Sequence, residues 1–134
     1  MINIWDEFGR NAGEVWKTLN TYGSLPESKL IETTKLQEDE FQIAVGWLAR
    51  ENKIYKDGNI FKLGETNLTN KIGANAGKIW KMMETKGKFD VYDIPHLSDM
   101  EERDAYSALG WLVRENKIEA KTAIPKEYRI KFRS

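Results

Sequence analysis

The chain is one unit written twice. At an offset of 64, residues 9–54 align with residues 73–118 without a gap, and 18 of the 46 aligned positions are identical. Agreement at that level marks an internal duplication. The longest shared run is Gly46-Trp47-Leu48-Ala49-Arg50-Glu51-Asn52-Lys53-Ile54, which returns as Gly110-Trp111-Leu112-Val113-Arg114-Glu115-Asn116-Lys117-Ile118. A fold for this chain must be built from about 65 residues and then used again. Units of that size have little core to spare, so the five Trp, five Tyr and five Phe matter as large side chains to bury. What both copies retain is what the shared unit needs.

Each copy divides in the same way. In the first, Trp5, Phe8, Ala12, Val15, Trp16 and Leu19 recur at three- and four-residue spacing, predicting an amphipathic helix over about 4–21. Leu68, Ile72, Ala76, Ile79, Trp80 and Met83 repeat that stripe, and Gly23 and Gly87 are placed to end the two helices. A second, short helix is expected from about Pro26 to Thr33. Its counterpart, with Asp90 as a cap, should be shortened or distorted because Pro95 interrupts its last turn. Thr34-x-x-Gln37 and Ser98-x-x-Glu101 read as capping boxes opening a third helix. The core stripes of that helix are Phe41, Ala44, Val45, Leu48 and then Ala105, Ala108, Leu109, Leu112. Asn52 and Asn116 suit the left-handed residue that closes it. A hairpin follows, Ile54 to Lys56 and Ile60 to Leu63 around Asp57-Gly58-Asn59. In the second copy its strands are Ile118 to Ala120 and Tyr128 to Phe132, joined by a longer loop, and Glu65 to Thr69 link the halves.

Three helices and a two-stranded hairpin make a winged helix, with the second and third helices as the helix-turn-helix. The fold class expected is α+β, mainly α, as two tandem winged-helix repeats over residues 1–64 and 65–134. Asn-Ala-Gly-x-[Val/Ile]-Trp in the first helix and Ala-[Val/Leu]-Gly-Trp-Leu-x-Arg-Glu-Asn-Lys-Ile in the third occur in both copies. In these motifs the chain resembles a family of small prokaryotic winged helix-turn-helix proteins of uncharacterised function. The resemblance implies a fold of the nucleic-acid-binding type and a DNA-binding, regulator-type role, while fold alone does not fix function.

Composition narrows the functions further. An apolar fraction of 40% and a charged fraction of 31% belong to a folded globular protein. The absence of cysteine removes disulfides and thiolate metal sites, and fits the cytoplasm. The segment Met1-Ile2-Asn3-Ile4-Trp5 has no basic-then-apolar pattern of a secretory signal, and no run is long enough for a membrane span. His96 is the sole histidine, with Glu32 at its counterpart, so neither a metal-ligand spacing nor a nucleophile–histidine–acid set can be assembled. No enzymatic activity, cofactor, metal or small-molecule substrate is expected.

Two partner classes fit the charges. Net charge is zero, with 8 basic and 10 acidic side chains in residues 1–64, against 13 and 11 in residues 65–134. That is no excess for neutralising phosphates. The third helices begin with Gln37-Glu38-Asp39-Glu40 and Asp99-Met100-Glu101-Glu102, acids that suit a helix dipole and would repel a polyanion. A DNA-binding role would therefore rest on Arg103, Tyr106, Arg114 and Lys117, with Lys121, Lys126, Arg129 and Lys131 along the second wing. A protein-interaction role would rest on the outer stripe of the third helix, Gln42, Gly46 and Ala49 with Gly110 and Val113. Towards the C-terminal end of the helix those residues are small or apolar, where a DNA reader would carry long polar groups. Such a stripe suits the other repeat, a second chain or a separate partner. Gly9, Gly13, Gly73 and Gly77 are expected to form packing notches under the indoles of Trp47 and Trp111, the alternative being a site where two helices cross between the repeats or between two chains. Gly46 and Gly110 are read in the same way, and the paired tryptophans 16, 47, 80 and 111 are expected to be core.

Overall fold

The structure is a computed structural model that describes the backbone of residues 2–86, 88–123 and 127–132, and side chains over residues 5–85 and 92–118. In the first repeat, strand β1 (Ile2–Asn3) leads into helix α1 (Ile4–Tyr22). It is followed by β2 (Leu25–Pro26), α2 (Glu27–Thr34), α3 (Glu38–Arg50) and the hairpin β3 (Ile54–Asp57) and β4 (Ile60–Leu63). The second repeat has α4 (Thr69–Lys86), β5 (Lys88–Asp90), a 3-10 turn over Val91–Asp93, α5 (Ile94–Ser98), α6 (Glu102–Arg114), β6 (Ile118–Ala123) and β7 (Glu127–Phe132). Each repeat is a winged helix-turn-helix.

Local chemistry explains most boundaries. Gly23 at φ 80° ends α1, and Asn52 and Asn116 take left-handed φ of 61° and 60° after the third helices. The first wing turns at Gly58-Asn59, with Gly58 at φ 61°. The capping box of α3 lies three residues later than the spacing suggests, and α6, with Glu101 at its N-cap, has no side-chain cap. The Thr34 hydroxyl instead turns back and donates to the Leu30 carbonyl at 2.7 Å, and Lys35, at φ 59°, closes α2. Gln37 is then the cap of α3, its N–H donating to the Glu40 carboxylate at 3.0 Å. Ser98 likewise donates to the Ile94 carbonyl at 2.6 Å, and α6 starts from Glu101. Pro95 falls in the first turn of α5 rather than the last, and Asp93, not Asp90, precedes that helix. The helix is short, as the proline implied, because the preceding chain is spent on β5 and the 3-10 turn. Gly87 lies outside the described residues.

The two repeats share one buried cluster, which joins Phe8, Val15, Leu30, Phe41, Leu48 and Phe61 of the first to Ile79, Met83, Ile94, Leu109, Leu112 and Ile118 of the second. The centre of that joining is α3 against α6. A Cβ on Gly46 would stand 1.7 Å from the Ser107 carbonyl oxygen, and one on Gly110 would stand 1.9 Å from that of Ile43. Residues 43 and 107 are themselves equivalent, so the contact is reciprocal, as across a two-fold axis. Its charged rim repeats the pattern: Arg50 Nε meets Glu115 at 3.0 Å and Arg114 Nε meets Glu51 at 3.0 Å.

The sheets are exchanged in the same sense. One has strand order β1-β6-β7-β5 and the other β2-β4-β3, all antiparallel. Strand β1, which enters the first repeat, covers the edge of the second wing, pairing Ile2 with Thr122 and Asn3 with Lys121. The equivalent residues before α4 are Thr66 and Asn67. The Asn67 side chain accepts from the Lys56 N–H at 3.0 Å and donates to its carbonyl at 2.6 Å, imitating a strand along the edge of the first wing.

Replacing Gly46 or Gly110 by Ala should therefore force the two helix backbones apart and destabilise the chain by about 1–3 kcal/mol, the usual cost of overpacking. Denaturant unfolding of each variant measures it; an unchanged midpoint would contradict the close approach.

Candidate functional site: a groove between the first and third helices

The close approach of α3 and α6 decides where the expected functional residues go. Gln42 is buried at 6% exposure, and its amide donates to Glu27 at 3.2 Å. Gly46, Ala49, Gly110 and Val113 are all buried, with the backbones of the two third helices touching at the glycines. Tyr106, expected to face nucleic acid, is 4% exposed and unavailable to a base. Arg103 reaches back to Glu27 at 2.7 Å. Arg114 is held by Glu51 and lies over the rings of Trp5 and Trp47, 5.8 and 5.7 Å from their centroids. Lys117 sits 3.4 Å from Glu115 and 5.4 Å from the Trp80 ring centroid. Arg103, Arg114 and Lys117 are thus each held by a carboxylate of the chain while staying partly exposed, and Tyr106 is buried. Lys121, Arg129 and Lys131 lie on β6 and β7, but their side chains, and Lys126 altogether, are outside the described residues.

Burial at the start of α6 has an electrostatic consequence. It pushes the Tyr106 phenol up to about 12, with the carboxylates of Glu102 and Asp39 adding to the effect. Burial raises Tyr92 as well, helped by a hydrogen bond to Asp39. A phenol raised on folding adds stability that is whole below its unfolded value of about 10 and is lost as pH rises through about 12. Stability should therefore fall across that interval, and less so in Tyr106→Phe. Equal alkaline losses in the two proteins would contradict it.

A different surface remains open. Between α1 and α3 of the first repeat lies a groove of about 320 Å³, lined by Gly9, Ala12, Gly13, Trp16, Trp47, Leu48, Glu51 and Lys53. That volume is at the lower edge of small-ligand clefts, roughly 300–1,000 Å³. Ala12 and Leu48 form a buried floor. Trp47, 7% exposed, packs against Trp5 at 4.6 Å between centroids, the ring planes tilted by 57°. Trp16 is 38% exposed, a rim residue and not the core residue its periodicity suggested. The two glycines also part company. A Cβ on Gly9 would lie 3.2 Å from the Trp47 indole, so Gly9 is a notch, whereas nothing stands within 4 Å of one on Gly13. Gly73 and Gly77 behave alike: the first would meet Trp111 at 3.5 Å and the second meets nothing. Gly13 and Gly77 are thus not packing notches. At the mouth, the Glu51 carboxylate is shared by Arg114 at 3.0 Å and Lys53 at 3.6 Å.

An exposed glycine inside a helix costs about 1 kcal/mol against alanine. Gly13→Ala should raise stability by about 0.4–1 kcal/mol, and Gly9→Ala should gain less because the Trp47 indole must give way. Thermal unfolding of the two variants checks the ordering; a loss of stability in Gly13→Ala would show that the position is not open.

Among the described residues no helix is long and apolar enough to cross a membrane, and no group of three or more histidine, aspartate or glutamate side chains could hold a metal ion. Comparison with protein families matches the winged helix-turn-helix domain (DUF2582) twice, over residues 4–61 and 67–130. Neither the search of curated proteins nor that of solved structures found a match. Winged helix-turn-helix domains are in general non-enzymatic binding modules of the DNA-binding kind. The two matches together span nearly the whole chain, which therefore belongs to the winged helix-turn-helix domain (DUF2582) family as a tandem duplication.

Proposed function

We propose that this member of the family works as a protein-interaction adaptor and does not read DNA through its third helices. The observation that carries this reading is the mutual burial of α3 and α6, the helices that a helix-turn-helix otherwise lays in the major groove. Base edges are met by long hydrogen-bonding side chains. Here the outer faces of both helices are small or apolar at Gly46, Ala49, Gly110 and Val113, and all four are buried where the helices meet. Separating them would expose Val45, Ala49, Tyr106 and Val113, all buried, and would break the two reciprocal Arg–Glu pairs. The first turn of α3 supports the same reading. Glu38, Asp39 and Glu40 stand there, with the Glu40 and Asp39 carboxylates accepting backbone N–H groups at 3.0 and 2.8 Å.

Titration of the intact chain against mixed-sequence duplex tests it, at about 50 and 200 mM salt. The expected result is weak binding that collapses at the higher salt and is unaffected by Gln42→Ala or Arg103→Ala. Any residual electrostatic binding should come from the second wing. Lys121→Ala, Lys126→Ala and Arg129→Ala would each then lower the salt slope by about 1. Sequence-selective binding that survives at the higher salt and is lost in Gln42→Ala would overturn the adaptor reading.

A further inference from the structure

The eight residues lining the groove of the first repeat have eight counterparts 64 positions later: Gly73, Ala76, Gly77, Trp80, Trp111, Leu112, Glu115 and Lys117. All eight are identical, whereas only 18 of the 46 aligned positions are identical overall. Packing explains some of this agreement. Ala12, Leu48, Ala76 and Leu112 are buried, and Gly9 makes room for the Trp47 indole, while a Cβ on Gly73 would meet Trp111 at an ordinary contact distance of 3.5 Å. It does not explain Gly13 and Gly77, where a side chain would meet nothing and alanine would be the better helix former. Nor does it explain Trp16, which is more than a third exposed while its counterpart Trp80 packs partly against the core. Lys53 and Lys117 do have partners within the fold, the carboxylates of Glu51 and Glu115. Residues kept twice without a packing reason, all on one concave surface, need something outside the fold to account for them.

From this we infer that the groove is a docking site for a peptide segment of a partner protein. A bulky apolar side chain of that segment enters between Trp16 and Trp47, and a neighbouring carboxylate meets Lys53. The inference rests on the adaptor reading and names the surface it uses. Its chemistry follows from the walls. Six of the eight lining residues are glycine, alanine, leucine or tryptophan, and the two charged ones, Glu51 and Lys53, are paired with each other, so the groove lacks the converging free donors that orient a small polar metabolite. The bare backbone at Gly13 lets another main chain or ring approach α1 closely. The retained charges favour an acidic neighbour. Lys53 and Arg114 flank the single carboxylate of Glu51, and Lys17, one helical turn beyond Gly13, is also repeated, as Lys81. In the second repeat Lys117 lies between the Glu115 carboxylate and the Trp80 ring, the position from which a ligand carboxylate would draw it.

The test uses the full chain labelled with nitrogen-15 and two probes, N-acetyl-Asp-Phe-amide and N-acetyl-Lys-Phe-amide. The acidic probe should shift the Gly9 and Gly13 amides and the Trp16 indole N–H. The basic probe should bind about threefold more weakly, the size of one exposed charge interaction. Gly13→Leu fills the groove at an open position, so it should fold and melt at least as well as the parent. It should lose the response at Trp16 and keep it at Trp80. Absence of shifts in the groove with both probes, or an undiminished Trp16 response in Gly13→Leu, would overturn the inference. Self-association of the parent chain that Gly13→Leu abolishes would also overturn it, by making the occupant a second copy. A selection of random displayed peptides on the intact chain separates this failure from that of the adaptor reading. Selected peptides whose shifts map away from the groove would sink the groove and leave the adaptor standing. No selected peptide together with salt-resistant duplex binding would sink both.

Discussion

Everything in this molecule depends on two helix backbones touching at Gly46 and Gly110. At those points a single methyl group would fall within 2 Å of a carbonyl oxygen on the facing helix. Such proximity is available only to glycine, and it brings whole helix faces together instead of side-chain tips. Once α3 and α6 are in place, Arg50 and Arg114 fall opposite Glu115 and Glu51, and each guanidinium also lies over a tryptophan of its facing repeat, Trp111 or Trp47. These pairs are partly exposed and contribute only about 0.2–1 kcal/mol each. Their value is in alignment, because a slip of one helical turn would unmake both at once. The shared apolar cluster supplies the stability, at roughly 1.5–3 kcal/mol for each large side chain fully buried.

The architecture was largely legible in the sequence because it is local and written twice. Three-four periodicity marks the helices, Asn52 and Asn116 mark their ends, and Asp57-Gly58 marks a wing. These are properties of a few adjacent residues, and tertiary packing did not overrule them. The capping boxes were misplaced for a physical reason. Thr34 and Ser98 can cap the helix that follows or donate to a carbonyl of the helix they end, and spacing alone does not distinguish these. The second choice prevails because Lys35 and Asp99 take left-handed conformations and put a turn between the two helices.

The candidate site was harder to read, since exposure is a property of the assembled fold. Gly9 and Gly13 look alike in sequence, one turn apart, yet one lies under an indole and the other is open. Trp16 shares the period of the core residues but falls on the flank of the stripe, where α3 no longer covers it. Tyr106 and Arg114 are residue types that contact nucleic acid elsewhere. Their role here depends on α6 facing α3, a relation between repeats that no local pattern encodes. One signal was present from the start. Motif residues of the first and third helices, more than 30 positions apart, are repeated together as a set, as residues lining one surface would be.

The contact that withdraws the third helices also builds the groove. Glu51 stands at the mouth of the groove in the first repeat, and the group that holds its carboxylate is Arg114, from the second. The same guanidinium covers Trp47, the indole that forms the inner wall. Arg50 performs both tasks for Glu115 and Trp111 in the other direction. The groove of the first repeat is therefore completed in part by the second, which adds Arg114 to the Lys53 that already meets Glu51. The copies are not equivalent in detail. Trp5 supports Trp47, while Thr69 stands at the matching position beside Trp111, which is correspondingly less buried. Fusion of the repeats thus changes what the fold can do. The helices that a helix-turn-helix ordinarily turns towards DNA form the joint, and beside that joint lies the groove of the first repeat.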